Sequence, residues 1–368
     1  MVRRTRRSLA LLAMVTACAF AAMPTVTCAR MQGPRGGGKA PERGGHHREP
    51  GIPKPRPTGA PGLAPSPSAS GTLPLRAQGF RYRQLAIGQG DAALLECGSG
   101  ETALVDAGPA ASASTLVQTL KSLGREVSWI LISHGHADHY GGLGAAVGLG
   151  SPPSFIVPQA PDEGVEWRRA LASLHGSGAR VIEAKRGDTI ALCAGVDVRV
   201  LAPSPPPISR SRSDVNANGI VLRVDHHGAD YTHRFLLTGD AELETEARLL
   251  EDPEGLRADV LKVAHHGSAF SSSLRFLEAV APSLAIVSSG SGNDYHHPHG
   301  ATLQRLLGVG ARILRTDLHG TVSVTSGDEG LTVETDHEVL NHLENVGEDG
   351  GEANLPKEHR PRHRKHRQ

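Results

Sequence analysis

Four short apolar runs in this sequence break off on a residue able to hold a metal: TALVD at Asp106, WILISH at His134, RFLLTGD at Asp240 and DVLKVAH at His265. Runs of this length, rich in Leu, Ile and Val and bounded by Gly, Ser or Asp, read as buried strands. Helical stretches lie between them at 112–123, 163–174, 241–250, 271–279 and 302–307. Segment 219–240 reads as a hairpin whose polar turn spans 225–231. Strands paired locally, with helices between the groups, predict a layered α/β fold rather than a doubly wound parallel sheet. The strands form two sets, before and after the polar segment 203–218. The expectation is therefore a sheet sandwich with helices outside, its strand ends converging on one rim.

The folded block is expected over 76–337, within a chain of 368 residues. Residues 1–30 read as an export signal: MVRRTRRS supplies a positive start, and the apolar stretch 9–20 is too short to span a bilayer. The run VTAC resembles a lipobox, which would make Cys18 the lipidated first residue of a membrane-anchored chain. Ordinary cleavage near 19–22 is the alternative and gives a freely secreted protein. Residues 31–75 are rich in Gly, Pro and Ser and read as a disordered tether, and 338–368 as a disordered basic tail. Export would permit a disulfide between Cys97 and Cys193, but sequence does not show whether they lie within bonding distance.

The stretch SHGHADHYGG places His134, His136, Asp138 and His139 within six residues. Imidazole and carboxylate suit Zn²⁺ or Mn²⁺, and four such groups exceed what one tetrahedral ion takes from a single loop. His134 and His136 on one ion, with Asp138 and His139 on a second, is the natural division; a polar surface loop is the bland alternative. Asp240 stands where a carboxylate could bridge two cations or merely cap the helix that follows. His265 and His266 precede Gly-Ser at another strand end, and HHPHG carries His297 and His299 ahead of a helix.

These phrases together resemble the metallo-β-lactamase-fold hydrolases, and most closely the hydrolase domain at the end of the ComEC DNA-uptake proteins and its stand-alone relatives. IGQGDAALLE, LVDAG, ISHGHADHYGGL, NGIVLRV, LLTGDAE, DVLKVAHHGS, HPH and GARILRTDLHGTVSV carry the resemblance, from Ile87 to about Val324. It implies an αββα sandwich with two divalent metal ions at one edge. The implied ligands are His134, His136, Asp138, His139, a bridging Asp240, and His265 on the second ion with His266 as its alternative. Asp106 would orient the ligand loop. Many members of this fold carry a further histidine between HxHxDH and the bridging aspartate. This chain has SDVNANGIVL there instead, so the expectation is that Asp214, Asn216 or Asn218 faces the metals.

The implied chemistry is hydrolysis of a phosphodiester, DNA being the leading substrate, by a hydroxide shared between the ions. Asp138 and Asp240 hold that centre. Lys262, His297 or His299 would neutralise a phosphate or protonate the leaving oxygen, with His299 preferred. Gln89-Gly90-Asp91 forms either a loop beside the site or a plain turn. A phosphocholine ester, a lactone or a β-lactam is the alternative substrate, since fold does not select among them. A non-catalytic binding domain ranks last, because nearly all ligands are retained. Aromatic residues make up only 3% of the chain, which disfavours a broad base-stacking platform. Lys and Arg (39) nearly balance Asp and Glu (38), so net charge neither favours nor excludes a nucleic-acid partner.

Overall fold

A strand that is apolar at every position must be covered on both faces, and the fold meets that demand with two packed sheets and a helical layer outside each. The computed structural model describes residues 75–148, 154–160 and 164–338. Six strands open the first sheet: β1 (Phe80–Gln84), β2 (Ala93–Cys97), β3 (Thr102–Val105), β4 (Trp129–Leu131), β5 (Ser154–Pro158) and β6 (Val181–Ala184). The second sheet takes β7 (Thr189–Ala191), β8 (Val196–Ala202), β9 (Val221–His227), β10 (Thr232–Leu237), β11 (Val260–Lys262), β12 (Leu284–Val287) and β13 (Arg312–Arg315). The chain then returns to the first sheet as β14 (Val322–Gly327) and β15 (Gly330–Thr335).

Between the sheets lies a core that includes Phe80, Tyr82, Leu131, Val224, Phe235 and Ile286. Helices Ala113–Ser122 and Val165–Gly176 cover the outer face of the first sheet through Leu116, Trp167 and Leu174. Helices Leu274–Val280 and Gly300–Gly308 cover the second through Phe276, Leu277 and Leu306. Each fully buried side chain of this kind contributes about 1.5–3 kcal/mol relative to exposure. This is the expected αββα sandwich, but the chain does not divide at 203–218. β7 and β8 already belong to the second sheet, and β14 pairs with β1 in antiparallel register, Tyr82 opposite Val324. The cause is shared burial: Val322 and Val324 join the same inter-sheet core as Phe80 and Tyr82. The half-exposed β15 is not among the strands expected from sequence.

Cys97 at the end of β2 and Cys193 just beyond β7 form a disulfide with Cα atoms 6.5 Å apart, so one covalent bond ties the two sheets together. Cys18, the leader and nearly all of the linker and basic tail lie outside the described residues. No helix among the described residues is long and apolar enough to cross a membrane.

Parallel pairing brings the carboxyl ends of β3 and β4 together in one sheet, and those of β10 and β11 together in the other. The two pairs of ends meet at one edge of the sandwich.

Candidate metal centre

Asp106 builds the first half of this edge. It leaves β3 with a left-handed backbone (φ 59°), and its carboxylate accepts from the Ser133 amide at 2.6 Å and the Ser133 hydroxyl at 2.8 Å. Its Oδ2 also lies 2.9 Å from His139 Nδ1. A proton on Nδ1 donated to Asp106 leaves His139 Nε2 bare and aimed into the centre. The loop Gln89–Asp91 does lie beside the site. The Asp91 amide donates to the Asp138 carbonyl at 3.1 Å, and a side chain at Gly90 (φ 145°) would collide with that carbonyl.

Asp240 follows β10 and sits at the middle, 3% exposed. Its Oδ1 is 3.3 Å from His139 Nε2 and 3.6 Å from His266 Nε2. Asp138 Oδ2 closes the same group, 3.3 Å from His266 Nε2 and 3.9 Å from His139 Nε2. The other oxygen, Oδ2, is 3.9 Å from His134 Nε2 and 3.6 Å from His265 Nε2. His134 Nε2 is in turn 3.1 Å from His136 Nδ1. Donors held about 2.1 Å from one tetrahedral ion stand about 3.4 Å from one another, which is the spacing found on both sides of Asp240.

The chemistry of these donors fits a cation. His139 Nε2, Asp240 Oδ1 and His266 Nε2 are buried without a hydrogen-bond partner, and each such orphan costs about 1–3 kcal/mol. Burial alone would raise the Asp240 carboxyl, yet His139, His266 and His265 around it hold it well below the usual carboxylate range. Burial would lower His139, but Asp240 and Asp106 raise it well above an ordinary imidazole. His266 is raised in the same way, by Asp240 and Asp91. The carboxylates thus create a demand for positive charge that protons on these two rings meet in a metal-free site. His134 and His136 are shifted the other way, chiefly by burial, and stay neutral as ligands must. Asp91 also falls within 4.8 Å of His139, Asp240 and His266, but it reaches the Nδ1 sides of the two rings, away from the orphaned Nε2 atoms.

Other expected residues are placed differently. Lys262 is buried, paired with Asp91 Oδ2 and donating to the Gly239 carbonyl at 2.9 Å. Its ammonium is closed off from solvent by these partners. His299 is exposed and caps helix Gly300–Gly308, its Nδ1 accepting from the Ala301 amide. His297 is the histidine of that segment that reaches the centre, its ring 5.6 Å from that of His265 and 6.3 Å from that of His266. Asn218 holds the backbone of Ile208 and Asp214, and Asp214 closes a turn at Arg210 and Ser211. Asn216 donates to Glu242 Oε1 at 3.1 Å. Sequence reading missed Glu242, which lies 3.2 Å from His265 Nδ1; its signal was a second acid two residues after Asp240. His265 and His266 divide between the two oxygens of Asp240, with His266 beside Asp138 and His139.

Residues 85–290 match the model of the Metallo-beta-lactamase superfamily. The chain is 31% identical over 199 residues to ComE operon protein 3 of Bacillus subtilis, covering 54% of this chain and 24% of that protein. It is 33% identical over 264 residues to Competence protein ComA of Neisseria gonorrhoeae, covering 68% and 34%. It is 29% identical over 261 residues to Recombination protein 2 of Haemophilus influenzae, covering 68% and 29%. The chain therefore spans about a quarter to a third of the length of these relatives.

Proposed function

The chain belongs to the metallo-beta-lactamase superfamily of metal-dependent hydrolases, and on that premise we propose that it is a two-metal phosphodiesterase acting on DNA or a related polymer. The observation that carries the proposal is Asp240: one buried carboxylate turns each of its oxygens to a separate group of donors. Asp138, His139, His266 and Asp240 Oδ1 would hold one ion, and His134, His136 and Asp240 Oδ2 the other. Two bound cations supply an acidified water and neutralise the charge of a phosphodiester. A nucleic-acid substrate is supported by relatives that carry competence and recombination in their names.

The chain's own groups prepare this centre. Asp106 and the Ser288 carbonyl take the Nδ1 protons of His139 and His266, the latter across 3.0 Å, which directs both Nε2 lone pairs inward. Lys262 neutralises Asp91 and, through the Gly239 carbonyl, fixes the turn that carries Asp240. His297 is half-buried at the mouth; burial, with His265 and His266 beside it, brings its pKa down to about 4. It therefore meets a substrate oxygen at neutral pH as an N–H donor and not as a charge. Tyr295 stacks on its outer face, 5.8 Å away and 69% exposed.

A substrate panel with the full chain and added Mn²⁺ or Zn²⁺ tests the assignment. Cleavage of single- or double-stranded DNA is expected. Turnover of nitrocefin or a phosphocholine ester, with DNA left intact, would replace it with the alternative reading.

A further inference from the structure

We propose that His265 is the third imidazole of the first ion, taking the place of the histidine absent between HxHxDH and Asp240. The inference rests on the two-metal reading above. Three donors of that site are plain: His134 Nε2, His136 Nδ1 and Asp240 Oδ2. In the segment that replaces the absent histidine, Asp214 and Asn218 are engaged with their own loop, and Asn216 gives its amide N–H to Glu242 while its Oδ1 stays buried without a partner. His265 Nε2 lies 3.6 Å from Asp240 Oδ2, the oxygen that also faces His134. On the far side of the ring, Nδ1 is 3.2 Å from Glu242 Oε1, itself held by the Asn216 amide. Nδ1 makes no hydrogen bond of regular geometry there. A proton on Nδ1 faces the Glu242 carboxylate electrostatically and leaves the Nε2 lone pair on the side of Asp240 Oδ2, the sense in which a neighbouring carboxylate orients a ligand histidine.

The backbone is shaped for this division of labour. His265 (φ 49°, ψ 49°) and His266 (φ 53°, ψ 20°) are successive left-handed residues, a conformation costing non-glycine residues about 1–2 kcal/mol each. Such strain persists where surrounding contacts over-determine it. Here the His265 amide donates to the Gly239 carbonyl at 3.1 Å, and the Ser271 hydroxyl to the Ala264 carbonyl at 2.9 Å. Gly267 (φ 82°) completes the turn where a side chain would strike Pro298. The result is one turn that delivers two adjacent rings to the two oxygens of a single carboxylate. Glu242 is then a positioning residue, acting on the ion only through His265.

Metal content decides the matter without any substrate. Full-length wild type, His265→Ala, His265→Gln, His266→Ala and Glu242→Gln are stripped with chelator and dialysed to equilibrium against Mn²⁺, Zn²⁺ or Co²⁺. Wild type is expected to hold two ions. His265→Ala and His265→Gln should hold one, with free imidazole restoring the second in the alanine variant. His266→Ala should lose the other ion, so that the two singly loaded variants give different Co²⁺ absorption spectra. Glu242→Gln should keep both ions but bind the first about 10–100-fold more weakly. Metal-free unfolding midpoints identify any variant that fails by misfolding, and the two substitutions at His265 provide independent readings. Two ions at wild-type affinity in His265→Ala would overturn the assignment. A single ion in wild type would instead remove the two-metal reading, and the His265 assignment also falls if that ion survives His265→Ala.

Discussion

Asp91 and Lys262 carry opposite charges in a place almost closed to water, at 4% exposure each. Burial by itself would discharge Lys262, but Asp91 and Asp240 raise its pKa and keep it charged. Breaking such a pair from one side leaves a bare buried ion and costs about 3–5 kcal/mol, whereas replacing both partners with apolar groups is close to neutral. Asp91→Leu should therefore destabilise the metal-free chain by about 3–5 kcal/mol in urea unfolding, with Asp91→Leu plus Lys262→Met recovering most of the loss. A double variant as unstable as the single would show that the pair is not what holds this floor. The candidate ligand histidines were legible in sequence because three of them crowd with Asp138 into one loop after a strand, and two more stand side by side at another strand end. The inward aim of Lys262 was also available: it follows the inter-sheet core residue Val260 by two positions on β11, and alternate residues of a strand share a face. Glu242 and Asp91 were harder to assign. A lone acid beside a turn looks the same whether it caps a helix or supports a ligand, and their roles arise only when separate strands converge.

At the scale of elements, the apolar runs fixed where most strands lie but not which strands become neighbours. β1 and β14 pair although Arg81 and the Thr325 hydroxyl it donates to are 244 residues apart. No local pattern encodes a contact across that distance; shared burial in one core does. The same holds for the disulfide, whose cysteines stand 96 residues apart in sequence and on different sheets. A cross-link closing a loop of this size stabilises by about 2–4 kcal/mol, mainly by restricting the unfolded chain. Cys97→Ser with Cys193→Ser should lower the melting temperature by roughly 5–15 °C. An unchanged melting temperature in scanning calorimetry would show that the sheets need no such tie.

Across the whole molecule, polar groups bridge the sheets at a second place. His226 on β9 and His233 on β10 each place Nδ1 2.7 Å from the Ser326 hydroxyl oxygen on β14, and His226 Nε2 donates to the Gln78 carbonyl. The hairpin turn expected at 225–231 would include His226; instead His226 and His233 both lie within the strands. One serine can donate to one ring and accept from the other, so the network is complete with both histidines neutral. Burial lowers both pKa values, and neighbouring histidines lower His226 further. The folded state then binds fewer protons than the unfolded chain below the ordinary histidine pKa of about 6.5. This contribution to stability is whole above that pH and is lost as pH falls toward the depressed folded values. In chelator, wild type should lose more unfolding free energy between pH 7 and pH 5 than His226→Gln plus His233→Gln. Equal losses would contradict the role given to this bridge.

The central claim is that one carboxylate, Asp240, organises two ions for phosphodiester hydrolysis. Its most direct test is DNA cleavage by the full chain after chelator treatment and stepwise return of Mn²⁺ or Zn²⁺. Cleavage should vanish with the metal, return in full only at two equivalents, and fall by roughly 10³-fold or more in Asp240→Asn. Cleavage that persists without metal, or that survives Asp240→Asn at the wild-type rate, would contradict it.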